Sequence, residues 1–124
     1  MPDPQEIKRK VIEALKNVYD PEIPINVWDL GLIYEVKVSE DGVVNIKMTL
    51  TAPGCPLANI IAYRVLEAAR SVEGVKDVNV DVVFNPPWDP TKMTPEGRKR
   101  FKELMGYDIV EEYERRFESD VSSG

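Results

Sequence analysis

The chain has 124 residues, 43% of them hydrophobic, and 22 acidic against 16 basic residues for a formal charge of -6. That length supports one hydrophobic core, and the acidic balance argues against broad binding to nucleic acid or to an anionic membrane, since both need a basic field. With no histidine and a single cysteine, Cys55, an intrachain disulfide, the usual zinc sites and every nucleophile that depends on a histidine base are excluded.

The run from Met1 to Glu6 has no apolar targeting core, and no later run is long enough to span a membrane, so a cytoplasmic protein is expected. Asp3-Pro4-Gln5-Glu6 carries a cap residue, a proline at the first helical position and a glutamate three places after the cap. Ile7, Val11, Leu15 and Val18 follow at helical spacing, which predicts a first helix to about Tyr19. Asp20-Pro21-Glu22-Ile23-Pro24 stops it, because proline denies a backbone donor and disfavours helix in the residue before it. Asp20 and Glu22 stand in this stiff segment as candidate ligands or acceptors; the plainer role for Asp20 is to cap the turn.

Gly31 marks a bulge or a close backbone approach at a strand entrance, and Trp28 reads as core. Leu32, Tyr34, Val36 and Val38 alternate with polar neighbours, Asp41-Gly42 is a hairpin turn signal, and Val44, Ile46, Met48 and Leu50 alternate again. The second strand leads into Thr49-Leu50-Thr51-Ala52-Pro53-Gly54-Cys55-Pro56. With Pro56 at the first position of a second helix reaching about Val72, Cys55 is the predicted N-cap. Backbone N-H groups and the helix dipole there favour thiolate, the species that binds soft metals and attacks electrophiles. A small buried apolar residue is the plainer reading of a free cysteine.

Gly74 ends that helix, and Val78, Val80, Val82 and Phe84 predict a third strand. The order is helix, strand, strand, helix, strand: an α+β two-layer sandwich with a C-terminal helical extension. Asn85-Pro86-Pro87-Trp88-Asp89-Pro90 cannot continue a central strand. Thr94-Pro95-Glu96 opens a basic helix that Gly106 interrupts. Ile109, Tyr113 and Phe117 then place an apolar stripe on an acidic helix, to pack on the domain or to meet a partner. The expected organisation is one domain over 1–105, followed over 106–124 by that helix and a loose tail.

Asp20-Pro21-Glu22-Ile23 with Asn26-Val27, Asp29-Leu30-Gly31-Leu32-Ile33-Tyr34, Thr49-Leu50-Thr51 through Gly54-Cys55-Pro56, and Pro87-Trp88-Asp89-Pro90 with Met93-Thr94 resemble, in order from Glu6 to Arg100, the iron-sulfur assembly family typified by SufT and PaaD. The family also includes the eukaryotic cytosolic iron-sulfur targeting subunit. The resemblance implies a compact α+β domain that helps mature iron-sulfur proteins. Cys55 would be its functional thiolate and transient metal ligand, with Asp20, Glu22 and Thr51 lining the same pocket.

One cysteine per chain falls short of the full set that clusters usually take. No stably bound cofactor is therefore expected, only a transient iron-sulfur cluster or iron, shared across a homodimer or with a partner's thiols. The expected partners are client apoproteins and the assembly machinery, including a P-loop ATPase. The expected function is that of a maturation factor, not an enzyme, acting as carrier or targeting accessory. The alternative is an adaptor that docks clients or the ATPase without metal; a thiol enzyme would lack both a histidine base and a resolving cysteine.

Overall fold

The computed structural model describes residues 3–21, 23–51 and 58–123. Helix α1 (Pro4–Leu15) starts behind Asp3, whose carboxylate accepts from the Gln5 N-H, and buries Ile7, Val11 and Leu15 at four-residue intervals. It ends one turn before the expected Tyr19. Asn17 and Val18 donate back to Ala14 and Leu15 in tighter i to i-3 bonds, and the backbone beyond turns to pair with residues 25–27. Val18 stays buried even so.

Strands β1 (Ile33–Val38) and β2 (Val43–Met48) form the expected hairpin. Gly42, at φ +86, donates its N-H to Ser39 O at 3.0 Å, and Ser39 N-H to Val43 O at 2.9 Å. A register shift between Ile33 and Glu35 interrupts the alternation of β1. Tyr34 consequently does not join buried Val36; its hydroxyl donates to the Pro86 carbonyl at 2.8 Å. Strand β3 (Asp77–Val82) lies parallel to β2, from Val43 opposite Asp77 to Met48 opposite Val82. A parallel neighbour needs a crossover, and helix α2 (Ala58–Arg70) supplies it.

The sheet order is β1-β2-β3, and α1 and α2 touch each other and the sheet, giving the expected two layers. Val11, Leu15, Leu30, Leu32, Val44, Met48 and Val65 are fully buried between them, each large aliphatic worth about 1.5–3 kcal/mol of transfer free energy.

Beyond β3, a single 3-10 turn (Pro90–Lys92) leads to α3 (Pro95–Met105), capped by the Thr94 hydroxyl accepting from Gly97 N-H and closed by Gly106 at φ +83. Phe101 of α3 is buried in the core and meets Tyr107 edge-on at 5.4 Å. Helix α4 (Ile109–Ser123) buries Val110 and leaves Tyr113 exposed, while Ile109 packs against the core; of the predicted stripe, Ile109 is covered and Tyr113 is not, and the Phe117 side chain lies outside the described ones.

Asp108 fixes the start of α4. Its carboxylate accepts from Arg98 Nε at 2.9–3.0 Å and from the Val110 N-H at 3.0 Å. The Arg98 hydrogen bond, helped by the amides of Glu111 and Val110, holds Asp108 below the usual carboxylate range. A depressed folded-state pKa gives stability that is fully present above the unfolded-state value and is lost as pH falls through the folded one. The α3–α4 junction should therefore loosen only in acid below the ordinary carboxylate range. Hydrogen exchange at the Val110 and Glu111 amides should speed up there first, and Arg98→Met should move that onset to higher pH. An unmoved onset would remove Arg98 as the cause.

Candidate functional site

Two of the four residues expected to share a pocket, Asp20 and Thr51, lie in the described part of the chain; Glu22 and Cys55 lie outside it, as does Pro56, the expected first residue of the second helix. Asp20 is 4% exposed. Its N-H donates to Ile25 O at 3.2 Å and its Oδ1 accepts from Ile23 N-H at 3.0 Å, so the carboxylate holds the shape of the acidic turn from inside. Thr51, half-buried, follows β2 by three residues.

A continuous ladder of main-chain bonds joins these two places. Val27 N-H donates to Val18 O at 2.8 Å, Leu32 N-H to Val27 O at 3.1 Å, and Thr49 N-H to Leu32 O at 2.8 Å. With the bridge between Tyr19 and Asn26, the acidic turn is tied through residues 27 and 32 to the exit of β2. In sequence that exit runs from Thr49 to Thr51 toward Cys55, three residues before α2 begins at Ala58.

Thr49 itself is fully buried, and among the described residues its hydroxyl is a buried side-chain polar atom without a hydrogen-bond partner of good geometry. Its influence falls on the Tyr34 hydroxyl. Burial pushes the Tyr34 pKa up, nearby Thr49 offsets part of that, and the charge of Asp89 adds to the rise. Lys92 Nζ sits 5.4 Å from the centre of the Tyr34 ring. Among the described residues, no three His, Cys, Asp or Glu side chains converge to hold a metal ion.

The sequence motifs left without a role prove to be one clamp. Asp29 Oδ2 accepts from Asn26 Nδ2 at 2.8 Å, Asp29 Oδ1 from the Thr94 hydroxyl at 2.7 Å, and Asp29 O from the Thr94 N-H at 2.9 Å. Trp88 Nε1 donates to Leu30 O at 2.6 Å, which makes the half-buried indole an anchor as well as a core residue. The return from 86 to 97 is thereby fastened onto the loop from 26 to 34, which continues the acidic turn. Polar residues so far apart in sequence carry no periodic signal; only their joint presence in the motif set marked them.

The family model described as "iron-sulfur cluster assembly protein" matches residues 8–82. Similar curated proteins include an "Fe-S protein maturation auxiliary factor" of Porphyromonas gingivalis, 48% identical over 73% of this chain and 87% of the relative. "Fe-S protein maturation auxiliary factor SufT" of Staphylococcus aureus is 38% identical over 62% of this chain and 88% of its own length. An "iron-sulfur cluster carrier protein" of Deinococcus radiodurans is 38% identical over 57% of this chain, which spans only 20% of that protein. Among solved structures, a domain of unknown function, DUF59, from Bacillus anthracis superposes with a TM-score of 0.74 at 33% identity, covering 83% of this chain and 94% of the other.

Proposed function

Since the chain belongs to the iron-sulfur cluster assembly protein family, we propose that it serves iron-sulfur maturation through Cys55, which takes up iron or a cluster transiently and passes it to client apoproteins. The observation that carries this reading is the main-chain ladder that ties the acidic turn of Asp20 to the β2 exit leading to Cys55. It supports a site in which Asp20, Glu22 and Thr51 flank the sulfur.

Chemically, the Cys55 thiol gives its proton to solvent and the thiolate bonds iron; a client thiolate then replaces it on the same iron, with no change of oxidation state. Soft sulfur suits iron in clusters, and the carboxylates are harder donors that tolerate Fe2+. A single thiolate cannot complete a cluster's ligand set, so the cargo is shared with a second subunit or a partner and is not stored. The protein acts as an auxiliary factor and not as an enzyme. Among the described residues no helix is long and apolar enough to cross a membrane, in keeping with a cytoplasmic place of work. That one fifth of an iron-sulfur cluster carrier protein aligns with this chain supports cluster-assembly machinery as the partner class, and a P-loop ATPase within it belongs to the proposal.

The test is anaerobic reconstitution with ferrous iron and sulfide. The wild-type chain should gain a sulfur-to-iron charge-transfer band in the visible spectrum, and Cys55→Ala should lose at least nine tenths of it, about the tenfold deficit expected when the sole soft ligand goes. If Cys55→Ala gains the same band, the thiol is out of the mechanism. If, in addition, it fully matures client enzymes in cells, the adaptor reading replaces the carrier one.

A further inference from the structure

Strand β1 is an edge of the sheet, and its free side is not blank. A cavity of about 340 Å3 is lined by Lys8 and Ile12 of α1, by Trp28, and by the consecutive residues Ile33 to Lys37. Side chains of a strand alternate between its two faces, so a cavity lined by five consecutive residues lies along the strand's edge, where the main chain is within reach. A second cavity of about 320 Å3 shares Trp28, Ile33 and Tyr34 and extends the groove to Lys92 and Thr94.

The ladder fixes which main-chain groups face this groove. Ser39 N-H bonds Val43 O, and Ser39, Lys37 and Glu35 face β2 residues of the same alternating set. In an antiparallel pair the residues between them, Val36 and Val38, turn their N-H and C=O groups away from the partner strand. Among the described residues, no hydrogen bond outside the sheet reaches those groups. Apolar walls from Ile12, Trp28 and Ile33 flank them.

Charge narrows the occupant. In a chain of net charge -6, the described residues lining the groove include Lys8, Lys37 and Lys92 against one carboxylate, Glu35, which Lys37 and Lys47 already engage at 2.9 and 3.8 Å, with Asp89 outside the lining but felt at Tyr34. Glu35 is accordingly held below the usual range, by the Lys37 hydrogen bond first. Lys8 and Lys92 form no ion pair among the described residues. A lysine and a bulge on an edge strand are ordinary protection against self-pairing, but they do not account for a cavity with apolar walls on either side. A second copy paired antiparallel about Val36 would set its Glu35 against Lys37 but bring no carboxylate of that strand to Lys8 or Lys92, so it answers less of the groove's charge than an acidic segment does.

We propose that the β1 edge is a docking groove for an extended segment of a partner protein, in which acidic and apolar residues alternate. The segment adds as a fourth strand on Val36 and Val38, with its apolar residues against Trp28 and Ile33 and its carboxylates near Lys8, Lys37 and Lys92. The binding calls on neither the thiol nor a metal.

The probe is a blocked heptapeptide, Glu-Val-Glu-Phe-Glu-Val-Glu, titrated into the wild-type chain without iron or sulfide, so that the outcome stands or falls apart from the thiol chemistry. Binding should slow hydrogen exchange at the Val36 and Val38 amides. The triple change Lys8→Glu, Lys37→Glu and Lys92→Glu should weaken binding about tenfold, as a sum of exposed charge contacts. The same peptide N-methylated at the positions facing Val36 and Val38 keeps its side chains and should not bind. Equal binding of the N-methylated peptide, protection elsewhere than β1, or equal binding of the Lys-for-Glu peptide would each overturn the proposal. So would protein-concentration-dependent protection of β1 in the absence of peptide, which would make the occupant a second copy.

Discussion

Gly31→Ala should destabilise the fold by about 3 kcal/mol, from a left-handed conformation that costs an L-residue roughly 1–2 kcal/mol and an overpacking cost of similar size. Gly31 sits at φ +78, and a Cβ there would fall inside the van der Waals envelope of the Lys92 carbonyl. That obstacle is main chain, so relief requires the 3-10 turn to move. The turn is fixed by Asp89 accepting from the Thr91 N-H at 2.8 Å and by Trp88 on Leu30 O. For a chain of this size the loss corresponds to a fall in Tm of about 10 °C, measurable by thermal or urea unfolding. Gly106→Ala is the internal control: its φ is also positive, at +83, but a Cβ there meets nothing within 4 Å, so it should cost only the conformational part. Equal losses at the two glycines would mean that the approach to Lys92 does not matter.

Gly31 also shows what a sequence can and cannot tell. A glycine at a strand entrance announces a close backbone approach, but the approaching carbonyl lies some sixty positions on in a proline-rich return with no periodicity. The elements built on local rules were legible: the prolines at Pro4 and Pro95, the Asp-Gly turn at Gly42, the αL stop at Gly106, and the alternation of β2 and β3. The end of α1 was not, because Val18 keeps helical spacing while its main chain is taken by Val27, a long-range bond that overrides local preference. Of the site, Asp20 proved to hold its own turn, the commoner role for an aspartate there, and the turn proved to be laddered to the approach of Cys55. Neither the Asn26–Asp29–Thr94 clamp nor the β1 groove has a periodic signature, since both arise where segments distant in sequence meet.

Asp29→Ala should cost about 2 kcal/mol, because it leaves one buried polar group without a partner, at roughly 1–3 kcal/mol, and weakens the hydrogen bond of a second. Asn26, 9% exposed, loses the acceptor for its amide, and the Thr94 hydroxyl loses its 2.7 Å bond to the carboxylate and keeps only the 3.4 Å one to Asp29 O. The Thr94 hydroxyl works in both directions, donating to Asp29 while accepting from the Gly97 N-H at 3.0 Å to cap α3. Thr94→Val therefore removes a helix cap and the side-chain link to Asp29 together, and should cost about 2 kcal/mol, whereas Thr94→Ser keeps both and should be near neutral. Because the two residues share one bond, the double variant Asp29→Ala with Thr94→Val should lose less than the two single losses combined, by about 1 kcal/mol. Urea unfolding of the four proteins at one pH measures this. Strict additivity would mean that Asp29 and Thr94 side chains support the fold separately, and that α3 is held to the loop after the acidic turn by the Thr94 N-H bond to Asp29 O and by apolar contact. With coupling, an anchored α3 keeps the loop from 26 to 31 in place, and that loop carries the main-chain ladder from the acidic turn toward the segment that bears Cys55.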